Sequence, residues 1–206
     1  MGLSMIDIEI PVEKIFDKVL PEPDILEYYN RISRREIMLN CEIDDTCVNY
    51  AKQIMEWNIK DRDIPIEDRT PIKIYINSDG GLLTAAWSLI DAMLLSKTPV
   101  ITYGIGCIYS AASMIFIAGH KRYCLPHASY MIHDGSSVSA DSISRMVDDI
   151  EFTKQGEEKV KQYFIERTSI TPELYDTKYR MNWWMYHDEM IKYGIASAVI
   201  TSLDNC

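Results

Sequence analysis

The sequence predicts an α/β fold with a mostly parallel sheet. Short runs rich in Ile, Val, Thr and Tyr alternate with segments of helical hydrophobic period. The strand-like runs close on Gly, Asp or Ser. No low-complexity stretch or linker divides the chain.

Residues 1–30 carry Pro11, Pro21 and Pro23 among apolar and acidic residues and read as an extended or irregular arm. REIMLNCEI (35–43) reads as a short strand. DDTCVNYAKQIMEWNIKD (44–61) reads as an amphipathic helix opened by Asp44 or Asp45. PIKIYINS (71–78) is a β-branched strand broken by DGG, and LLTAAWSLIDAMLLS (82–96) recurs at helical spacing. The pattern then repeats: TPVITYGIG (98–106) as strand, SAASMIFIAG as a helix closed by Gly119, and KRYCL and SYMIHD as two short strands. Residues 139–169 form a long helical pattern interrupted near Gly156. ITPELYDTKYRMN opens another helix, DEMIKYG (188–194) is a last short one, and IASAVI is a tail strand. The domain reading is an arm over 1–26 and a single domain over 27–206.

The 206 residues carry a net charge of -10 and a 47% apolar fraction. This fits one soluble, well-buried core and speaks against nucleic acid or an anionic membrane as a partner, since both reward clustered Lys and Arg. No apolar run approaches the length of a bilayer span. The acidic N-terminus is not a signal peptide, so the expected location is cytoplasmic. Cys41, Cys47, Cys107, Cys124 and Cys206 form no CxxC and no zinc spacing. They read as free thiols in a reducing compartment, with no metal and no cofactor.

The chemistry-bearing candidates lie at strand carboxyl ends, where α/β folds bind ligands. INSDGG (76–81) offers glycine amides that a ligand could approach, though a plain turn would use the same residues. Ser110 falls at the mouth of the helix after a strand, where the dipole favours developing negative charge. Ser113 lies one turn inside, where a serine in an apolar helix ordinarily fills space. Of the four histidines, His133 ends a strand. His120 reads as surface, His127 sits in a turn, and His187 precedes a helix in a polar stretch. Trp183–Trp184 reads as packing at an element boundary, and the charges of 148–160 as a solvated helix face.

INSDGG…TAAWSLIDAM, then G-x-x-x-S, AGHKRYCLP, SYMIH and KYGIASAVI together resemble the proteolytic subunit of the ATP-dependent Clp protease, ClpP, from about residue 27 to 200. The corresponding family strings are INSPGG, G-x-A-A-S-M-G, AGxKGKRxxLP, MIHQP and EYGLID. The resemblance implies the ClpP/crotonase-like fold of repeated strand-strand-helix units with a protruding helical handle. Ala111-Ala112-Ser113-Met114 copies the family's A-A-S-M, but ungapped spacing puts the family serine on Ser110, four residues after Gly106 and nine before Gly119. Ser110 then resembles the nucleophile and His133 the general base. The amides of Gly81 and Ala111 resemble the oxyanion hole of an acyl-transfer mechanism. Tyr109 stands where the family has Ala, which implies an altered pocket floor.

The family's third member, an Asp ahead of an aromatic, falls on Asn182. Asn can orient an imidazole but supplies no negative charge. Three outcomes stay open: a slower Ser-His-Asn enzyme, substitution by Asp176 or Asp188, or a catalytically inactive paralogue. The segment after His133 is about four residues shorter than the family's and lacks its Gly-rich motif. The resemblance therefore implies a ring, with the family's stacked double heptamer uncertain, as in divergent phage-type members. The implied activity is serine endopeptidase hydrolysis of unfolded or partly unfolded polypeptide within a homo-oligomer. No GxxxxGK[ST] occurs, so a AAA+ unfoldase would be a separate partner. The alternatives are a weak or inactive subunit co-assembling with an active homologue, and a phage-type processing protease. An acyl-CoA enzyme of the crotonase fold fits the Ser/His spacing less well.

Overall fold

The computed structural model describes residues 23–136 and 140–203. The chain folds as two compact units, Met1–Arg34 and Arg35–Cys206. In the first, Pro23–Ser33 forms helix α1, where the sequence reading has an extended arm. Proline is the reason for the difference. At the first helical position its missing N–H has no intrahelical partner to lose, and Asp24 in the first turn complements the dipole. Glu27 and Arg31 pair one turn apart at 2.9 Å. The rest of the expected arm, residues 1–22, lies outside the described residues.

The second unit is built on a seven-stranded sheet. Strands β1 (Glu36–Leu39), β2 (Ile72–Ser78), β3 (Val100–Tyr109), β4 (Lys121–Cys124) and β7 (Ala198–Val199) run parallel in that order. Strand β5 (Ser129–Ile132) pairs in parallel with the far end of β3, and β6 (Trp183–Tyr186) pairs antiparallel with β5. Helices α2 (Thr46–Lys60), α3 (Leu83–Leu94), α4 (Ala111–Ala118), α5 (Ile143–Arg167), α6 (Pro172–Lys178) and α7 (His187–Lys192) complete the unit. Strand β2 buries every second residue, as its β-branched alternation requires. Helix α4 buries all eight of its residues, so it is apolar all round.

Two element readings need correction. Helix α5 runs unbroken through Gly156 for 25 residues. An isolated glycine lowers helix stability by only about 1 kcal/mol relative to alanine, which a helix of this length absorbs. The sequence reading also has no strand at β6, only an element boundary. All four of its residues, WWMY, are large and apolar or aromatic, which hides the alternating burial they show in the fold.

Near its end β3 bulges. Ile76 pairs with Gly104 and Ser78 with Ile108, so two steps of β2 span four of β3. The bulge wraps the Asn77 amide, whose Oδ1 accepts from the Cys107 N–H at 3.0 Å. A Cβ on Gly106 would lie 2.1 Å from that oxygen, so a side chain there would push the Asn77 amide out of the bulge. The extra residues carry β3 on to Tyr109 and deliver Ser110 beside the end of β5.

Candidate active site

Ser110 sits between β3 and α4 with φ 52° and ψ −125°, a conformation rare outside glycine. Its N–H donates to the Met131 carbonyl at 3.0 Å, tying the turn to β5. One residue past β5 stands His133. Parallel pairing of β3 with β5 therefore brings both side chains to one end of the sheet, and His133 Nε2 lies 2.8 Å from Ser110 Oγ. For Nε2 to accept the hydroxyl proton, the neutral ring carries its own proton on Nδ1. An imidazole so placed can take the proton as the hydroxyl attacks a carbonyl.

Gly81 and Ala111 line the same cavity of about 580 Å³ as Ser110 and His133. Gly81 forms a bridge with Ile43 in which the Ile43 N–H donates to Gly80 O at 2.8 Å and the Leu82 N–H donates to Ile43 O at 2.7 Å. Those bonds use the groups flanking Gly81 and leave its own N–H outside the bridge. With φ 147° and a virtual Cβ 2.3 Å from the Ile43 oxygen, the position admits only glycine. Ala111 is the first residue of α4, where backbone N–H groups have no helical acceptor.

Asn182 lies one step beyond the last β5–β6 pair, Ile132 with Trp183, and so at the register position opposite His133. It is exposed, and among the described residues no hydrogen bond joins it to the ring. Of the two alternative carboxylates, Asp176 pairs with Lys161 at 2.7 Å, while the exposed Asp188 lies 3.1 Å from Nε2 of its neighbour His187. Tyr109 does not floor the cavity as expected. Its hydroxyl bonds Ser129 Oγ at 2.6 Å and its ring packs edge-on against Trp184, and neither residue lines the cavity. His120 Nδ1 accepts from the Val100 N–H, and burial is the main cause holding its pKa below the usual histidine range. The thiols of Cys41, Cys47, Cys107 and Cys124 are free. Burial pushes Cys47 and Cys124 up to about 11, which makes them poor nucleophiles at neutral pH. Cys206 lies outside the described residues.

Three further contributors shape the site. Gly80 packs against the serine turn, where a Cβ would lie 2.6 Å from Ser110 Cβ. Ser113 is 1% exposed and its hydroxyl donates to the Ser110 carbonyl at 2.6 Å. The far wall of the cavity is one face of α5, with Phe152, Gly156, Val160 and Phe164 at four-residue intervals. That repeat is visible in the sequence once the charges between are set aside.

The Clp protease family model matches residues 22–203. The chain belongs to the Clp protease family. It is 32% identical to the ATP-dependent Clp protease proteolytic subunit 1 of Corynebacterium jeikeium, covering 84% of this chain and 92% of the relative. It is 27% identical to the proteolytic subunit of Chlorella vulgaris, covering 97% and 94%. An Asn-to-Asp mutant of ClpP1 from Listeria monocytogenes superposes with a TM-score of 0.73, covering 86% of this chain and 98% of that one; at 24% identity it supports the ClpP fold. The chain is thus a Clp-type serine peptidase with the ClpP fold. Among the described residues no helix is long and apolar enough to cross a membrane, and no group of three metal-ligating side chains occurs.

Proposed function

We propose that Ser110 is the nucleophile of this Clp-type peptidase and His133 its general base, with the Gly81 and Ala111 amides as the oxyanion hole. The 2.8 Å contact between Ser110 Oγ and His133 Nε2, at the edge of the 580 Å³ cavity, carries the reading. A peptide carbonyl over Ser110 is attacked as His133 accepts the proton. The negative oxygen meets backbone donors, and the protonated ring then returns its proton to the leaving amine. Asn182 orients the ring through its side-chain oxygen when a rotamer change brings it across from its register position. The substrate is unfolded or partly unfolded polypeptide, cut inside a homo-oligomeric ring in the cytoplasm. A separate AAA+ unfoldase feeds the ring, and residues 1–26 serve as an N-terminal arm. The relatives' names, proteolytic subunits of an ATP-dependent protease, support the ring and the ATPase.

Labelling with a fluorophosphonate probe tests the assignment. It is expected in the wild type and absent in Ser110→Ala. Labelling that survives Ser110→Ala and vanishes in Ser113→Ala would move the nucleophile one turn along α4.

A second reading has its own support. Among the described residues Asn182 makes no bond to the ring, and Asp176 is paired with Lys161. Such a dyad suits a weak or inactive subunit that co-assembles with an active homologue. Absence of labelling in every oligomeric state would favour that reading.

A further inference from the structure

Resting on the oxyanion assignment above, we infer that Ser113 is a positioning residue for this reaction, fixing and polarising the peptide group whose N–H is the Ala111 donor. The Ser110 carbonyl and the Ala111 N–H belong to one planar trans peptide, so a bond made to one end sets the direction of the other. The Ser110 oxygen accepts twice from Ser113: from its N–H at 2.9 Å and from its hydroxyl at 2.6 Å. Donation to a carbonyl oxygen draws electron density from the amide and makes its N–H a stronger donor.

The hydroxyl has no competing role in water, because Ser113 is 1% exposed within a helix whose residues are all buried. Its backbone is itself held, since the buried Tyr130 hydroxyl donates to the Ser113 carbonyl at 2.8 Å. The turn it secures needs securing. A serine at φ 52° persists only where its surroundings over-determine it. Here the determinants are the Met131 carbonyl on one side, the two Ser113 donors on the other, and a glycine at position 80 in close contact with the Ser110 Cβ. A serine that merely filled space would leave the Ser110 carbonyl with one donor and the donor peptide free to rock.

The isosteric pair Ser113→Thr and Ser113→Val isolates the hydroxyl, since both add the same methyl group and only Thr keeps the donor, in a rotamer that bonds the i−3 carbonyl. With a fluorogenic peptide, kcat of the Val variant is expected to fall below that of the Thr variant by on the order of three- to tenfold. KM and the pH midpoint of kcat/KM should be shared by the two. Affinity for a peptide aldehyde, whose tetrahedral adduct places an oxyanion at the same donors, should drop by the same factor as kcat, while affinity for the cleaved product peptide should not. Ser113→Ala, which adds no volume, should reproduce the Val loss. Equal kcat in the Thr and Val variants, or a difference confined to KM or to melting temperature, overturns the inference and leaves the Ser110–His133 reading standing. Wild-type protein that carries no Ser110-dependent label overturns both.

Discussion

The two walls of the cavity are built in opposite ways. The wall that carries Ser110 is the β3–α4 turn, and α4 buries every residue it has. The facing wall is α5, 25 residues long, which buries only Tyr163 and Phe164. Ile143 at 78% and Phe152 at 77% exposure lie on its N-terminal half. The serine side is over-determined by backbone and buried side-chain hydrogen bonds. The α5 side leaves apolar surface open to whatever enters or covers it. Reacting groups need fixed geometry, and a surface that receives varied polypeptide needs the opposite.

If the sheet wall is as rigid as its bonding implies, its buried polar pairs should matter most. Arg35 clasps Asp61, which is 1% exposed, through both terminal guanidinium nitrogens, one of them at 2.6 Å, and Thr98 adds a third bond at 2.8 Å. Arg35→Ala strands that carboxylate and is expected to lower unfolding free energy by about 3–5 kcal/mol in denaturant titration. The Arg35 hydrogen bonds hold the Asp61 pKa below the ordinary carboxylate value, so in the wild type the pair's stabilisation is full above that value and is lost as pH falls through the folded-state pKa. The gap between wild type and variant should therefore be widest near neutrality and close on acidification. A gap constant down to strongly acid pH would show that the Asp61 charge has no part in it.

Next in size is Gly80→Ala. A methyl group there meets Ser110 Cβ at 2.6 Å and the Tyr109 oxygen at 2.8 Å, at φ 105°. Displacing the proposed nucleophile by a few tenths of an ångström to an ångström should lower kcat/KM by about 10²-fold. A loss under fivefold would show that the turn yields and that the two walls differ less in rigidity than their bonding suggests.

Asn182→Asp comes third, because it adds charge without rebuilding anything. Residue 182 stands at the register position opposite His133, and under the proposed mechanism a carboxylate there would stabilise the imidazolium formed as Ser110 is acylated. Peptidase turnover is expected to rise by about tenfold, well short of the roughly 10⁴ separating Asp from Asn in the trypsin-like triad. No rise would mean that the ring is oriented without residue 182.

Much of the rigid wall is legible in the linear sequence, and little of the open one. Alternation in Ile72–Ser78 marks β2, and the spacing of Ser110 from Gly106 and Gly119 aligns it, rather than Ser113, with the serine that the family resemblance implies. The first signal is local, set by backbone period, and the second depends on the spacing of the family's motifs. What stays hidden depends on distant partners or on geometry with no letter of its own. Strand β6 exists because Ser129 pairs with Tyr186 across a long sequence separation, and the placement of Tyr109 depends on Ser129 and Trp184, both distant in sequence. The bond from Ser113 to the Ser110 carbonyl is invisible because a serine inside an apolar helix reads the same with or without it.

The smallest expected effect tests the open wall. Ile143, Val147 and Ile150 fall at i, i+4 and i+7 of α5, exposed at 78%, 48% and 52%. Apolar side chains on one stripe of a helix stay unburied only at a cost, and a second copy in the proposed oligomer would cover them. Ile150→Ser breaks the stripe while removing nothing from the protomer's own core, so unfolding of the isolated protomer should change by no more than about 0.5 kcal/mol. Sedimentation velocity should instead show the distribution shifting toward smaller assemblies. A large loss of protomer stability with unchanged assembly would mean that the stripe packs within its own chain, and that both walls of the cavity are held from inside.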